Sequence, residues 1–265
     1  MKKNLSLWIL TGLTGILLLI ALCAPLLAPN DPYETSLADA LEGPSAKYPL
    51  GTDELGRCML SRILYGARTS IFTSLCIVAI VFAIGTTIGV IAGYLGGLVD
   101  QILSKLITIT QAFPKLILEI VIAGILGGGI RNVILALCLV EWAEYARVSR
   151  NLCRSLKQQP FVQAARLCGA TSRQIMYRHM LPNILPTLVT QASLGVATMI
   201  LEVASLSYLG VGISPPSAEL GSMISAGKDY MQTEEQLILI PGAALFVIAL
   251  IFQLLGEKYR DRLDA

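Results

Sequence analysis

From Thr69 to Val99 the chain carries no Asp, Glu, Lys, Arg or His. A helix needs ~20 apolar residues to cross a bilayer, and this run exceeds that length. Composition points the same way. Apolar side chains make up 54% of the 265 residues and charged ones 14%, against ~25% in an average soluble domain. The reading is an all-α integral membrane protein. The net charge of +2 says little; the placement of the charges says more.

Taken in order, residues 1–27 read as a first transmembrane helix. Lys2 and Lys3 precede an apolar run from Leu5 to Leu27. A cleavable signal peptide starts alike, but its apolar core spans only about 7–15 residues and ends at a small-x-small site that is missing here. Residues 28–70 form a polar loop, opened by Pro25, Pro29 and Pro32, with six acidic and four basic side chains up to Arg68. Residues 71–265 then form a core of five further helices, giving six spans.

The second span, Ile71 to Leu95, leads into a stripe of Gly85, Gly89, Gly93 and Gly97 at four-residue spacing. Such a stripe exposes backbone and lets another helix approach closely, from this chain or from a second subunit. The third span, Leu106 to Leu126, has Pro114 early in it. Lys115 and Glu119 are four residues apart and can face each other. Ionised residues at membrane depth cost ~2.5–3.5 kcal/mol each on insertion scales, so they pair, snorkel or line a wet path. Lys115, Glu119 and, in the fifth span, Glu202 are the pathway candidates, with helix packing as the plain alternative.

Gly127-Gly128-Gly129 is a turn, and a fourth span starts near Asn132, with Glu141 and Glu144 towards its inner end. The fifth covers Leu185 to Gly210 and the sixth Gln236 to Gly256, with a polar loop between them from Val211 to Glu235.

Between the fourth and fifth spans lies the most charged stretch of the chain. Residues 146–183 hold seven of the twenty Lys and Arg residues and no acid. Their punctuation predicts two short helices. Pro160 suits a first helical turn, Gln163-Ala164-Ala165 favours helix, and Gly169 suits the left-handed residue past a helix end. Thr171 and Gln174 have capping-box spacing, and the second helix is expected to stop near Pro182.

Gln163-Ala164-Ala165, Gly169-Ala170 and His179-Met180-Leu181-Pro182-Asn183 resemble the "EAA…G…LP" loop in membrane subunits of bacterial ABC importers, with Gln163 where Glu is usual. Leu50-Gly51-Thr52-Asp53-Glu54-Leu55-Gly56-Arg57, then Ser61-Arg62 and Gly66-Ala67-Arg68-Thr69-Ser70, resembles the signature of the dipeptide, oligopeptide and nickel permeases, with Cys58 where Asp is common. Glu202 to Gly212, Pro215-Pro216 and Gly221 resemble a second stretch of that subgroup, with Leu220 at a usual Trp.

The resemblance implies a type I ABC importer permease whose cytoplasmic coupling loop docks on an ATPase. The implied coupling residues are Gln163, Ala164, Ala165, Gly169, Ala170, Leu181 and Pro182. The implied partners are a second homologous permease, two ATP-binding subunits that use ATP and Mg, and an extracytoplasmic substrate-binding protein. Peptides or nickel and other metal chelates are the implied cargo.

With six spans, thirteen Lys and Arg fall on the side of the termini and the basic loop, and six on the other. The positive-inside rule then puts both termini and that loop in the cytoplasm of a cell (inner) membrane protein. Neither a phosphate loop of Walker type nor a nucleophile–base set occurs in the sequence. No catalytic residue, no metal site and no cofactor of its own are therefore expected, and nothing suggests nucleic acid as a partner. The cysteines lie in spans or in the basic loop except Cys58, which leaves no outer disulfide pair. A different class, an ion-coupled carrier, is allowed by Glu119, Glu141, Glu144 and Glu202, although no inverted repeat is visible.

Overall fold

A computed structural model describes residues 2–263. It is built of α-helices, and the described residues contain no strand, only an isolated bridge between Thr52 and Cys58. Helix α1 (Lys2–Leu22) and the short α2 (Ala24–Leu27) lead into a polar segment. Next come α3 (Met59–Leu95), α4 (Gly97–Ala112), α5 (Lys115–Leu126) and α6 (Ile130–Lys157). The basic stretch gives α7 (Pro160–Leu167), α8 (Ser172–Gln174) and a π-helical segment (Ile175–Met180) that runs straight into α9 (Leu181–Tyr208). A last hairpin holds α10 (Leu220–Gly227) and α11 (Gln236–Leu263).

Helix α3 begins at Met59, not near residue 71, so the polar segment ends at Cys58. A buried ion network fastens this junction. Asp53 accepts from Arg57 Nε at 2.6 Å and lies 3.2 Å from Arg62 Nε, and all three side chains are about 95% buried or more. Arg62 also donates to the carbonyl of Pro32, pinning the incoming loop to the helix. The Asp53-to-Arg62 part of the signature therefore works as a knot between loop and helix. All six cysteines are free.

The core is where α3, α6, α9 and α11 meet, around Ile71, Ile77, Leu137, Ile200, Leu206 and Phe252. Close contact between α3 and α6 rests on the glycine stripe. A Cβ on Gly85 would stand 2.6 Å from the carbonyl of Trp142, and one on Gly93 the same distance from that of Arg150. Gly89 faces Ser149 and Ala146. The partner of the stripe is thus α6 of the same chain. Gly97 does not belong to it: it lies beyond the end of α3, at the start of α4, with nothing near its missing Cβ.

Two prolines and the basic stretch depart from expectation. Pro114 does not sit inside one third span. It divides α4 from α5, which meet at 90°. The residue before a proline is driven to extended backbone, and Phe113 adopts φ −93°, ψ 146°. Pro182 does not end a helix, because Ser172 to Tyr208 runs as one 37-residue unit. Pro182 sits in the first turn of α9, where its missing N–H is tolerated, and the wider π turn before it makes room for the ring. Asn183 Nδ2 bonds the His179 carbonyl at 2.5 Å. The basic residues Arg147 to Lys157 are not loop residues; they continue α6 as helix down to Lys157.

Among the described residues, three helices pass alone as membrane spans by length and hydropathy: Met59–Leu95, Ser172–Tyr208 and Gln236–Arg262. The bent pair α4–α5 passes as a fourth, while the apolar part of α1, Ser6–Leu22, is shorter.

Candidate functional site: a basic elbow and a buried charge cluster

The basic elbow is built from the ends of α3 and α6, the start of α4, and α7–α8. Gln159 is extended and Pro160 opens α7. Only Val162 of α7 is buried; Phe161, Ala164 and Leu167 are exposed, Leu167 by 90%. Gln163 reaches back to the Gln158 carbonyl at 3.3 Å. Ala165 and Ala170 are half-buried, and Gly169 has φ +84°, a conformation that glycine adopts without strain. Thr171 and Gln174 make a reciprocal capping box that starts α8. Leu181 packs on the apolar cluster of Ile175, Met180 and Ile184, and Pro182 is exposed.

This elbow is tied to the helices by contacts that sequence reasoning missed. Lys157 Nζ donates to the carbonyl of Tyr94 at 2.6 Å and lies 5.5 Å from its ring. Arg166 of α7 lies 6.0 Å from the same ring, and the Tyr94 hydroxyl reaches Ser172 at 3.4 Å. Tyr94 thus touches α6, α7 and α8 at once. Arg150 of α6 holds Asp100 of α4 through two hydrogen bonds of 2.5 and 2.8 Å. A cleft of about 640 Å³ opens between these pieces, lined by Gly93, Asp100, Arg154, Lys157, Gln163 and Arg166. Tyr94 and Asp100 flank the Gly96-Gly97 turn, and no pattern along the chain marked either of them as a partner of the elbow.

The second feature lies within the helix bundle. Lys115 Nζ stands 2.6 Å from Glu141 Oε1 and 2.6 Å from Glu202 Oε1. The predicted partner, Glu119, takes no part in this ion pair. Its side chain is fully buried and neither of its oxygens meets a hydrogen-bond donor. Carboxylate oxygens of Glu119, Glu141 and Glu202 nonetheless lie within 4.8 Å of one another. Helices α5, α6 and α9 each supply one acid, and the break at Pro114 sets Lys115 at the first position of α5. The third member, Glu141, had no sequence signal beyond its place in an apolar stretch.

Residues 85–264, two thirds of the chain, match the family described as binding-protein-dependent transport system inner membrane component. The chain belongs to this family. The matched residues include the glycine stripe, the elbow and the charge cluster. Among relatives of this permease, the dipeptide transport system permease protein DppC of Haemophilus influenzae is 40% identical over 96% of this chain and 89% of its own. The nickel transport system permease protein NikC of Escherichia coli K12 is 39% identical over 94% and 90%. The fold also resembles a solved structure of the MetNI methionine ABC transporter in an inward-facing conformation, with a TM-score of 0.62 at 20% identity, covering 77% of this chain and 97% of that one. The relatives are permease subunits, so the ion-coupled carrier reading is set aside. The permease is an ABC importer membrane component with an all-helical, type I fold.

Proposed function

We propose that this permease forms half of a transmembrane pathway driven by separate ATP-binding subunits. In this reading the chain crosses the membrane six times, with α1 and α6 as crossings beside the four apolar candidates. Both termini and the elbow face the cytoplasm. A second homologous permease completes the pathway, two ATP-binding subunits dock on the elbow, and an extracytoplasmic binding protein delivers cargo to the polar segment on the outer face. The chain contributes no catalytic group; ATP and Mg are handled by the partners.

One observation carries the reading. A short helix, α7, presents Phe161, Ala164 and Leu167 outward while Tyr94, Lys157 and Arg166 bind its base to α3 and α6. An isolated apolar helix face on a polar elbow needs a partner to cover it. Because the elbow continues into α9 without a break, a push on α7 moves a whole span. Gln163, Ala164, Ala165, Gly169, Ala170, Leu181 and Pro182 are the coupling residues, and Lys115, Glu119 and Glu202 line the pathway.

The relatives' names point to di- and tripeptides, glutathione or nickel as cargo for those proteins. The same classes, peptides and metal complexes, are proposed here. The deciding experiment is uptake into vesicles holding the permease pair, with and without the ATP-binding subunits. Uptake should require both those subunits and ATP; uptake driven by an ion gradient in their absence would overturn the reading.

A further inference from the structure

We propose that Glu119, Glu141 and Glu202, with Lys115 at their edge, form a binding site for a divalent cation that prefers oxygen ligands. The proposal deepens the pathway reading of these residues and rests on it only for the site's part in transport, since binding is measured separately.

Three observations carry it. The first is convergence: α5, α6 and α9 each bring one carboxylate, and the oxygens lie within 4.8 Å of one another. Two oxygens in one coordination shell are at most twice the metal–oxygen distance apart, roughly 4–5 Å for Mg²⁺, Mn²⁺ or Ca²⁺. The second is the state of Glu119. It has 0% exposure, points into the cluster, and has no donor on either oxygen; Glu202 Oε2 is buried without a donor as well. Buried carboxylate oxygens require a positive partner or a proton, because burial strips away the water that would stabilise them.

The third is charge. Lys115 supplies one positive charge and is spent on Oε1 of Glu141 and of Glu202. Three ionised carboxylates and one ammonium leave two negative charges, which one divalent cation neutralises. The ligand set is oxygen only, which suits hard cations and lacks the imidazole or thiolate that nickel, copper and zinc sites favour. The Lys115 side chain is 41% exposed, so the site opens on the lysine side. A cation entering there meets the oxygens that Lys115 leaves free.

The test uses Mn²⁺ alone as probe and the assembled, nucleotide-free transporter in lipid nanodiscs, with free Mn²⁺ counted by electron paramagnetic resonance. Wild type should bind one Mn²⁺ per permease chain beyond the number bound by Glu119→Gln, and excess Mg²⁺ or Ca²⁺ should displace it. Lys115→Gln removes the competing positive charge and should tighten Mn²⁺ binding at least tenfold. Equal Mn²⁺ counts in wild type and Glu119→Gln would overturn the proposal. So would unchanged affinity in Lys115→Gln, which covers the case of a poorly folded Glu119→Gln. Such results would mean that protons alone balance the cluster. Loss of Mn²⁺ with full uptake in Glu119→Gln would keep the site and end the pathway reading.

Discussion

Arg150 holds Asp100 in a two-pronged grip of 2.5 and 2.8 Å, joining residues fifty positions apart across the turn from α3 into α4. Arg154 adds a longer contact of 3.8 Å to the same carboxylate. The grip ties the C-terminal part of α6 to the start of the broken helix α4–α5, whose far half carries Lys115. Through this grip a push on the elbow is expected to reach α4 and, beyond the break at Pro114, the charge cluster.

Breaking that link should impair coupling more than folding. Asp100→Asn removes a charge-assisted pair that is only partly buried, so a stability loss of ~1 kcal/mol is expected. ATP-driven uptake should fall several-fold while the membrane level stays near wild type. A charge swap, Asp100→Arg with Arg150→Asp, should recover part of the uptake. Unchanged uptake in the single variant would count against the link.

The glycine stripe should tolerate nothing larger. Gly89→Leu drives a side chain into Ser149, Ala146 and Arg150 and should cost at least ~1–3 kcal/mol through overpacking. Gly124→Ala has open space at its Cβ and should be neutral or slightly stabilising. Thermal unfolding in detergent, followed by size exclusion, compares the two directly. Equal melting points would remove the close-packing argument.

On the elbow, Leu167→Asp alters a side chain with 90% exposure and should leave the fold intact. Co-purification with the ATP-binding subunits should drop at least tenfold. Gly169→Val places a β-branched residue at φ +84° and should cost ~1–2 kcal/mol locally, with uptake lost at a normal membrane level. Full uptake in both variants would mean that the docking helix lies elsewhere.

The ion knot at Asp53 is a stability element. Asp53→Ala leaves Arg57 and Arg62 buried without their shared carboxylate, and breaking such a pair costs ~3–5 kcal/mol. With the polar segment on the outer face, as proposed, its protease sensitivity should rise sharply in intact spheroplasts. A wild-type digestion pattern would show that the network is dispensable.

Much of this was legible in the residues alone, because the signals were local. A charge-free run dictates a membrane helix, Pro160 opens α7, Gly169 closes it, and Thr171 with Gln174 caps α8; each rests on groups within a few positions of one another. Spacing of the glycines revealed a contact face but not the helix that meets it. The prolines misled for an equally local reason. Pro182 forbids a regular helical turn, yet a π segment one turn earlier absorbs it, and whether chain continuity is worth that distortion depends on the packing of Ile175, Met180 and Ile184.

The charge cluster lay beyond any reading along the chain. Lys115 and Glu119 share a helix face by spacing, yet the lysine bonds Glu141 and Glu202 instead. The 90° break at Phe113-Pro114 aims the first turn of α5 at two other helices, and helix packing places carboxylates 22 and 61 residues apart side by side. Sequence by itself determined the membrane class, the basic elbow and its local caps, since hydrophobicity and backbone chemistry act over neighbouring residues. Only the tertiary structure decided which charges meet, because in a low-dielectric interior partners are set by where whole helices pack.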